Sequence, residues 1–358
     1  MADSRPVEPP SGATTEADVA DRNDARLLTD EGSVRGFLVA HYGEAGARAR
    51  FEFVSGGVSS SIIRVESDGT CFILKQALPQ LRVSAAWHSR PERSGVEARC
   101  ARALDGLVPG SVPRVLREFP DHHAFSMACA PDGSAPWKAL LLQRTIRASD
   151  AIRAGALLGD IHSRSAGEAR LAEQFADTSY FDELRLDPYL RFTAARHPDV
   201  APVLDELVAE ALRPGICLVH ADFSPKNLLI TPRGQMLVID HEVAHWGNPA
   251  FDLAFLVNHL CLKALRFEDG ASAYLRAADG IIEAYREHAG QPIAAIAAGP
   301  RGGLMLGGLL LARIDGKSPV EYIDQDGHRE LVRQVARRIL VGGPSDIEAA
   351  LAMVKAAT

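Results

Sequence analysis

One stretch constrains the fold more than any other. From Cys217 the chain reads Cys-Leu-Val-His220-Ala-Asp222-Phe-Ser-Pro-Lys-Asn227, and two short apolar runs follow, 228–231 and 235–240, split by Pro232-Arg233-Gly234. A turn-forming Pro and Gly between residues of β character predicts a hairpin. In an antiparallel hairpin the start of the first strand lies beside the end of the second. Asn227 and Asp240 therefore meet at one end, and the loop from His220 to Lys226 carries Asp222 to the same place. Asp240 and Glu242 are two residues apart, so an extended backbone points both carboxylates the same way. The expected product is an oxygen-rich cluster of Asp222, Asn227, Asp240 and Glu242. Such a cluster suits Mg²⁺, which takes a few oxygen ligands together with substrate phosphates.

These residues resemble the catalytic core of the aminoglycoside phosphotransferase and choline kinase group, the protein-kinase-like small-molecule kinases. Protein kinases carry H-R-D-x-x-x-x-N and a later D-F-G. Here the counterparts are His220-Ala-Asp222 with Asn227, and Ile239-Asp240-His-Glu242. The small residue after the His, and Asp-x-Glu in place of Asp-Phe-Gly, resemble the small-molecule branch. The resemblance implies Asp222 as catalytic base, Asn227 and Asp240 as metal ligands with Glu242 beside them, and Asp252 as a buried brace of the catalytic loop. It also implies an α+β, two-lobe protein-kinase-like fold, with a small β-rich N-lobe and a larger, mainly helical C-lobe. His220 and His162 are read as structural.

The first lobe supports the same reading. Three strands are expected between Phe51 and Gln76, with a Gly-rich turn at Ser55-Gly56-Gly57-Val58-Ser59. Backbone N–H groups of such a turn can approach phosphate oxygens. Lys75 ends the strand after that turn, where kinases place the lysine of the α/β-phosphates. Residues 91–104 read as a helix, with Glu97 the expected partner of Lys75 and Glu92 the alternative. Two further strands, 112–116 and 124–127, lead to a hinge at 127–130, where backbone amides at Met127 and Cys129 read the adenine edge in this group. The words Lys75-Gln-Ala-Leu-Pro79, Arg82-Val83 and Trp87 are similar to methylthioribose kinase over a short segment.

The lobe boundary falls at the Pro-, Asp- and Gly-containing run 131–136, giving an ATP-binding N-lobe at 25–130 and a C-lobe with the acceptor site at 131–358. Residues 1–24 are polar and almost without large apolar side chains, so a disordered tail is expected. Helices are expected at 25–42, 149–163, 203–212, 251–265, 274–288 and 303–314, and amphipathic ones over 330–357. The helix 251–265 is apolar on nearly every face and belongs in a core, with Lys263 near its end reaching solvent. Trp246 and Arg313 are candidates for acceptor contact. Asp177, Asp182, Glu183 and Asp187 are the acids from which a pocket for aminoglycosides would have to be drawn.

A net charge of -7 argues against general nucleic-acid binding. The five cysteines are scattered, without a C-x-x-C pair, and are expected as reduced thiols in a cytoplasmic protein. The most apolar run, 304–311, is too short to cross a bilayer. The functional expectation is an ATP- and Mg²⁺-dependent kinase phosphorylating a hydroxyl of a sugar, amino alcohol or aminoglycoside. The rival is a nucleotide-binding pseudokinase that serves as a scaffold, signalled by loss of the base or metal ligand, and neither is missing. The absence of Asp-Phe-Gly and of a following Ala-Pro-Glu weighs against a protein kinase.

Overall fold

A computed structural model describes residues 27–55, 57, 59–81 and 89–358. The expected tail, Gly56, and Arg82, Val83 and Trp87 of the methylthioribose kinase likeness lie outside the described residues. Asp30 caps helix α1 (Glu31–Arg48), its side chain accepting from the Ser33 amide, the local device that favours Asp at such a position. The five strands that follow are β1 (Arg50–Phe53), β2 (Ser60–Ser67), β3 (Thr70–Ala77), β4 (Val115–Phe119) and β5 (Ala124–Ala128), and they form one antiparallel sheet in the order β1-β2-β3-β5-β4. Helix α2 (Arg93–Leu107) lies between β3 and β4 in sequence.

Strand alternation decides which side chain meets which helix. Ile63, Val65, Phe72 and Leu74 share a small core with Val34, Phe37 and Leu38 of α1. Lys75 is of opposite parity to Phe72 and Leu74, so it points to the other face of the sheet, where it meets Glu97 of α2. Val96, Cys100 and Leu104 of α2 belong instead to the larger core of the helical lobe. The helix that carries Glu97 is thereby anchored on the lobe that carries Asp222.

The cysteine expectation is corrected. Cys71 and Cys129 are disulfide-bonded with Cα atoms 5.6 Å apart, while Cys100, Cys217 and Cys261 are free and buried. The β3–β5 ladder pairs Phe72 with Ala128, so one step further Cys71 faces Cys129, within the span a disulfide bridges. Scattered cysteines thus cease to argue for a reducing compartment.

The helical lobe begins with β6 (Ala135–Pro136), which pairs with the hairpin β8 (Leu228–Ile230) and β9 (Met236–Val238). A second short ladder joins β7 (Cys217–Val219) to β10 (His245–Gly247). The main helices are α3 (Ala148–Ser165), α4 (Ala250–Arg266), α5 (Ala271–Ala289), α6 (Pro300–Asp315), α7 (Asp326–Gly342) and α8 (Ile347–Lys355). Gly155 lets α3 lie against α5, because a Cβ there would sit 2.2 Å from the Ile281 carbonyl oxygen. Residues 291–315 contain a window apolar enough for a membrane span, but 67% of it is buried inside the protein. That hydropathy is the core of the lobe.

Helix α4 is buried along almost its whole length, including Lys263. The expectation that Lys263 reaches solvent is therefore overturned. A helix packed on all faces leaves a last-turn lysine no solvent side to point toward.

Candidate active site

The β7–β10 ladder sets Asp252, near the start of α4, under the loop that follows β7. Asp252 is fully buried, and its two carboxylate oxygens accept from the amides of His220 and Ala221, each at 2.7 Å. Nε2 of His162 lies 3.2 Å from the same carboxylate, and Tyr285 Oη lies 2.8 Å from His162 Nδ1. Burial works against the charge on Asp252, but these partners hold its carboxyl below the usual range. Ala221 has φ +60°, a conformation that is costly for a residue with a Cβ, so the two bonds to Asp252 also hold a strained backbone. The His220 side chain is equally structural, with Nδ1 taking the Asp222 amide and Nε2 lying 3.2 Å from the Ile239 carbonyl.

Asp222 emerges from this scaffold fully buried. Its Oδ2 accepts from Asn227 Nδ2 at 2.8 Å and pairs with Arg185 at 2.8 Å and Lys226 at 2.9 Å. Its Oδ1 has no hydrogen-bond partner among the described residues. Burial pushes the carboxyl up, but Arg185 and Lys226 outweigh it and hold Asp222 below its ordinary range. It stays ionised, with one oxygen free to accept.

Sequence reading missed Arg185. It comes from a helical stretch of wide turns, Asp182–Arg191, with Pro188 inside, and its Nε also donates to the Ala221 carbonyl at 3.0 Å. No local pattern marked it, because its partner lies 37 positions later in the chain.

At the other end of the hairpin the strand stops at Val238, and Asp240 has φ +71°. The assumption of extended backbone through Glu242 is therefore wrong. The carboxylates nevertheless converge: oxygens of Glu97, Asp240 and Glu242 lie within 4.8 Å of one another. Lys75 Nζ sits between two of them, 2.6 Å from Glu97 Oε1 and 2.6 Å from Asp240 Oδ1. Glu97 is thus the partner of Lys75, and Glu92 stands in the N-cap position of α2 without making a cap. Burial opposes the charge on Lys75, but Asp240 and Glu97 hold the amine above its usual range. Burial also works against charge on Asp240, and Lys75 and Lys226 override it, keeping that carboxyl well below the usual range. Burial, reinforced by Asp240 and Glu242, pushes Glu97 up despite Lys75.

Glu242 has a second employment that the sequence did not reveal. Its Oε2 accepts from Nε of the fully buried Arg93 at 2.9 Å. The remaining guanidinium nitrogens of Arg93 donate to the carbonyls of Ser89, Arg90, Ser59 and Leu78. All five N–H donors of an arginine are thereby used. One side chain ties the Asp240 segment to the start of α2 and to Ser59 of the Gly-rich turn. In that turn Gly57 must be glycine, because a Cβ would stand 2.4 Å from the Ser60 carbonyl oxygen.

The hinge expectation is narrowed. Met127 lies inside β5, paired with Ile73, and the Ala128 amide donates to the Arg114 carbonyl. Only residues 129–130 of the expected segment lie beyond the ladder, with the Cys129 side chain in the disulfide.

A cavity of about 60 Å³ opens beside Asp222, walled by Lys138, Tyr189, Lys226, Lys263, Arg313 and the loop 318–322. Arg313 lines this cavity; Trp246 does not, and its indole N–H donates to the Gly215 carbonyl at 2.9 Å. The acids considered for an aminoglycoside pocket are engaged elsewhere. Asp177 accepts from the Ser179 amide, and Asp182, Glu183 and Asp187 pair with Arg191, Arg90 and Lys317. None of the four lines the cavity.

A profile of the phosphotransferase enzyme family matches residues 50–336 of this chain. Among curated proteins no sequence matches. Among solved structures, a choline/ethanolamine kinase family protein from Mesorhizobium loti aligns with TM-score 0.51 at 17% identity, covering 92% of this chain and 100% of that one. Amicoumacin kinase hAmiN, solved with AMP-PNP, Ca²⁺ and Ami, aligns with TM-score 0.56 at 16% identity over 92% and 97% of the two chains. Plasmodium vivax ethanolamine kinase aligns with TM-score 0.52 at 11% identity over 99% and 95%. At such identities the likeness establishes the two-lobe fold.

Proposed function

The chain belongs to the phosphotransferase enzyme family, and from that premise we propose that it transfers the γ-phosphoryl group of ATP to a hydroxyl of a small molecule. The observation that carries this reading is the convergence on Lys75 of Glu97, 22 residues away, and Asp240, 165 residues away, each at 2.6 Å. A buried lysine held between two carboxylates has its charge fixed and its direction set. In phosphoryl transfer that is the useful property, since catalysis rests on positioning and charge neutralisation more than on covalent chemistry.

In this reading the backbone around Gly57 and Ser59 covers the phosphates, and Lys75 takes their α/β oxygens, oriented by Glu97. The partner-free Oδ1 of Asp222 receives the acceptor hydroxyl. Arg185 and Lys226 keep Asp222 ionised, so it orients the hydroxyl and takes its proton late, as a loose transition state allows.

The donor set fits a magnesium ion. Asp240 is an ionised carboxylate, Asn227, whose backbone carbonyl accepts from the Ile239 amide, would add a neutral side-chain oxygen, and hard cations choose oxygen donors. Bound there with the nucleotide, Mg²⁺ supplies neutralisation of phosphate charge. Glu242, already bonded to Arg93, acts by holding the Asp240 segment.

The test is purified protein with Mg·ATP and hydroxylated small molecules, followed by phosphate transfer. Asp222→Asn should lower transfer by roughly 10²–10⁴-fold, the ordinary worth of a positioned general base, with Mg·ATP affinity retained. Near-normal turnover in that variant would overturn the assignment. Mg·ATP binding without transfer to any acceptor would favour the scaffold reading.

A further inference from the structure

The cavity beside Asp222 carries more positive charge than its own carboxylates neutralise. Four cationic side chains line it, Lys138, Lys226, Lys263 and Arg313, against two carboxylates, Asp222 and Glu321. Those two acids are already engaged, Glu321 with Lys138 and Asp222 with Lys226. Arg185, just behind, is also committed to Asp222. Lys263 and Arg313 remain, and neither forms an ion pair with a carboxylate among the described residues.

Their local bonding shows how incomplete their surroundings are. Lys263 is fully buried. Its amine reaches the His259 carbonyl one turn back at 3.1 Å and the Tyr322 hydroxyl at 3.4 Å, and stands 4.7 Å from the centre of the Tyr322 ring. Arg313 donates through Nη1 to Ser318 and to the Tyr189 hydroxyl, while its buried Nε has no acceptor. A buried cation without a counter-charge costs free energy that a structure ordinarily avoids. His259, also on the cavity wall, reports the same field: burial, then Lys263 and Arg313, hold its imidazole well below its ordinary range.

The size of the space narrows what can complete it. A water needs roughly 10–15 Å³ of such volume, so about 60 Å³ admits a handful of heavy atoms and excludes a sugar ring buried whole.

We propose that the acceptor is a compact hydroxy acid, whose carboxylate is held by Lys263 and Arg313 while its hydroxyl lies at Asp222. This rests on the phosphotransferase reading and specifies its substrate class. It departs from the sugar, amino alcohol and aminoglycoside acceptors expected from sequence. A cationic amine would meet the Arg313 guanidinium and the buried Lys263 amine in this cavity and find no free carboxylate among its lining residues.

Three probes of one skeleton isolate the charge: glycerate, glycerol and serinol, which are anionic, neutral and cationic. Their affinities are measured by calorimetry on the full chain loaded with Mg·AMP-PNP, and ADP release is followed in parallel with Mg·ATP. Glycerate should bind roughly tenfold or more tighter than glycerol or serinol, as a charge-assisted hydrogen bond implies. That advantage should vanish in Arg313→Met, shrink in Lys263→Met and persist in part in Arg313→Lys, while Mg·AMP-PNP affinity changes little. Equal affinities, a preference for serinol, no binding by any of the three, or an advantage that survives Arg313→Met would each overturn the inference. A protein that fails to bind Mg·AMP-PNP at all would instead overturn the phosphotransferase reading.

Discussion

Replacing Lys263 by Met should make the protein more stable, and the gain should fade as pH rises. The amine is fully buried and is held down to about 7, first by burial and then by Lys138 and Arg313, with Glu321 the one group pulling the other way. In the unfolded chain a lysine titrates near 10.4, and each unit of difference is worth about 1.36 kcal/mol. The ceiling on the destabilisation is therefore on the order of 5 kcal/mol. Met keeps the length of the side chain and brings no charge.

The sign follows from proton counting. Below pH about 7 the amine is charged in both states and the penalty is full. Between about 7 and 10.4 the unfolded chain binds the extra proton, so wild-type stability rises with pH relative to the variant. Above that window the difference is gone. Urea unfolding of both proteins from pH 6.5 to 9.5 should show the variant's advantage shrinking by up to ~3 kcal/mol. His259 and Tyr322 beside the amine are present in both proteins, so their own titration largely cancels in the comparison. A constant difference across the range, or a variant less stable at pH 6.5, would refute the reasoning about Lys263.

Three further outcomes are expected. Asp252→Ala removes the acceptor of two buried amides and should cost roughly 2–6 kcal/mol in urea unfolding, with a fall in kcat because Ala221 loses the bonds that hold its strained backbone; an unchanged midpoint would count against the brace. Arg93→Met leaves Glu242 buried without its partner and should destabilise by about 3–5 kcal/mol, while raising the KM for ATP more than that of the acceptor, since Ser59 is also released. Asp240→Ala should weaken metal-dependent nucleotide binding, so calorimetric titration of Mg·ATP at wild-type affinity would remove Asp240 from the metal site.

What the sequence made legible was local. The hairpin needed only its turn and its apolar runs, and it brought Asn227 and Asp240 to one end as geometry requires. Lys75 and Glu97 were legible through resemblance, each from its place on one element. The groups that escaped act across distance. Arg93 reaches five acceptors, including Glu242 149 positions later, and nothing in the run around it distinguishes it from a surface arginine. The Cys71–Cys129 bond requires the register of β3 on β5, which no spacing in the chain discloses. Trp246 shows the converse: its residue type suggested a ring for stacking, while its strand pairs with β7 and its indole N–H bonds the Gly215 carbonyl, neither of which residue type discloses.

The hardest feature to foresee is also the most informative one. A helix buried on every face has no inexpensive position for a lysine, yet α4 carries Lys263 in its last turn, beside Arg313 of α6. Stability alone would favour a methionine or leucine there. Where a sequence keeps a locally unfavourable group, a functional gain elsewhere is the physical reason to look for. The loop after β7 makes the same trade with Asp222, buried and left with one oxygen unpartnered. Both residues line a single cavity, and their defects are an unpartnered carboxylate oxygen and an amine that has no ion-pair partner among the described residues. A molecule that presents a hydroxyl to the first and a carboxylate to the second removes both at once, and the free energy each defect withholds from folding is then available to binding.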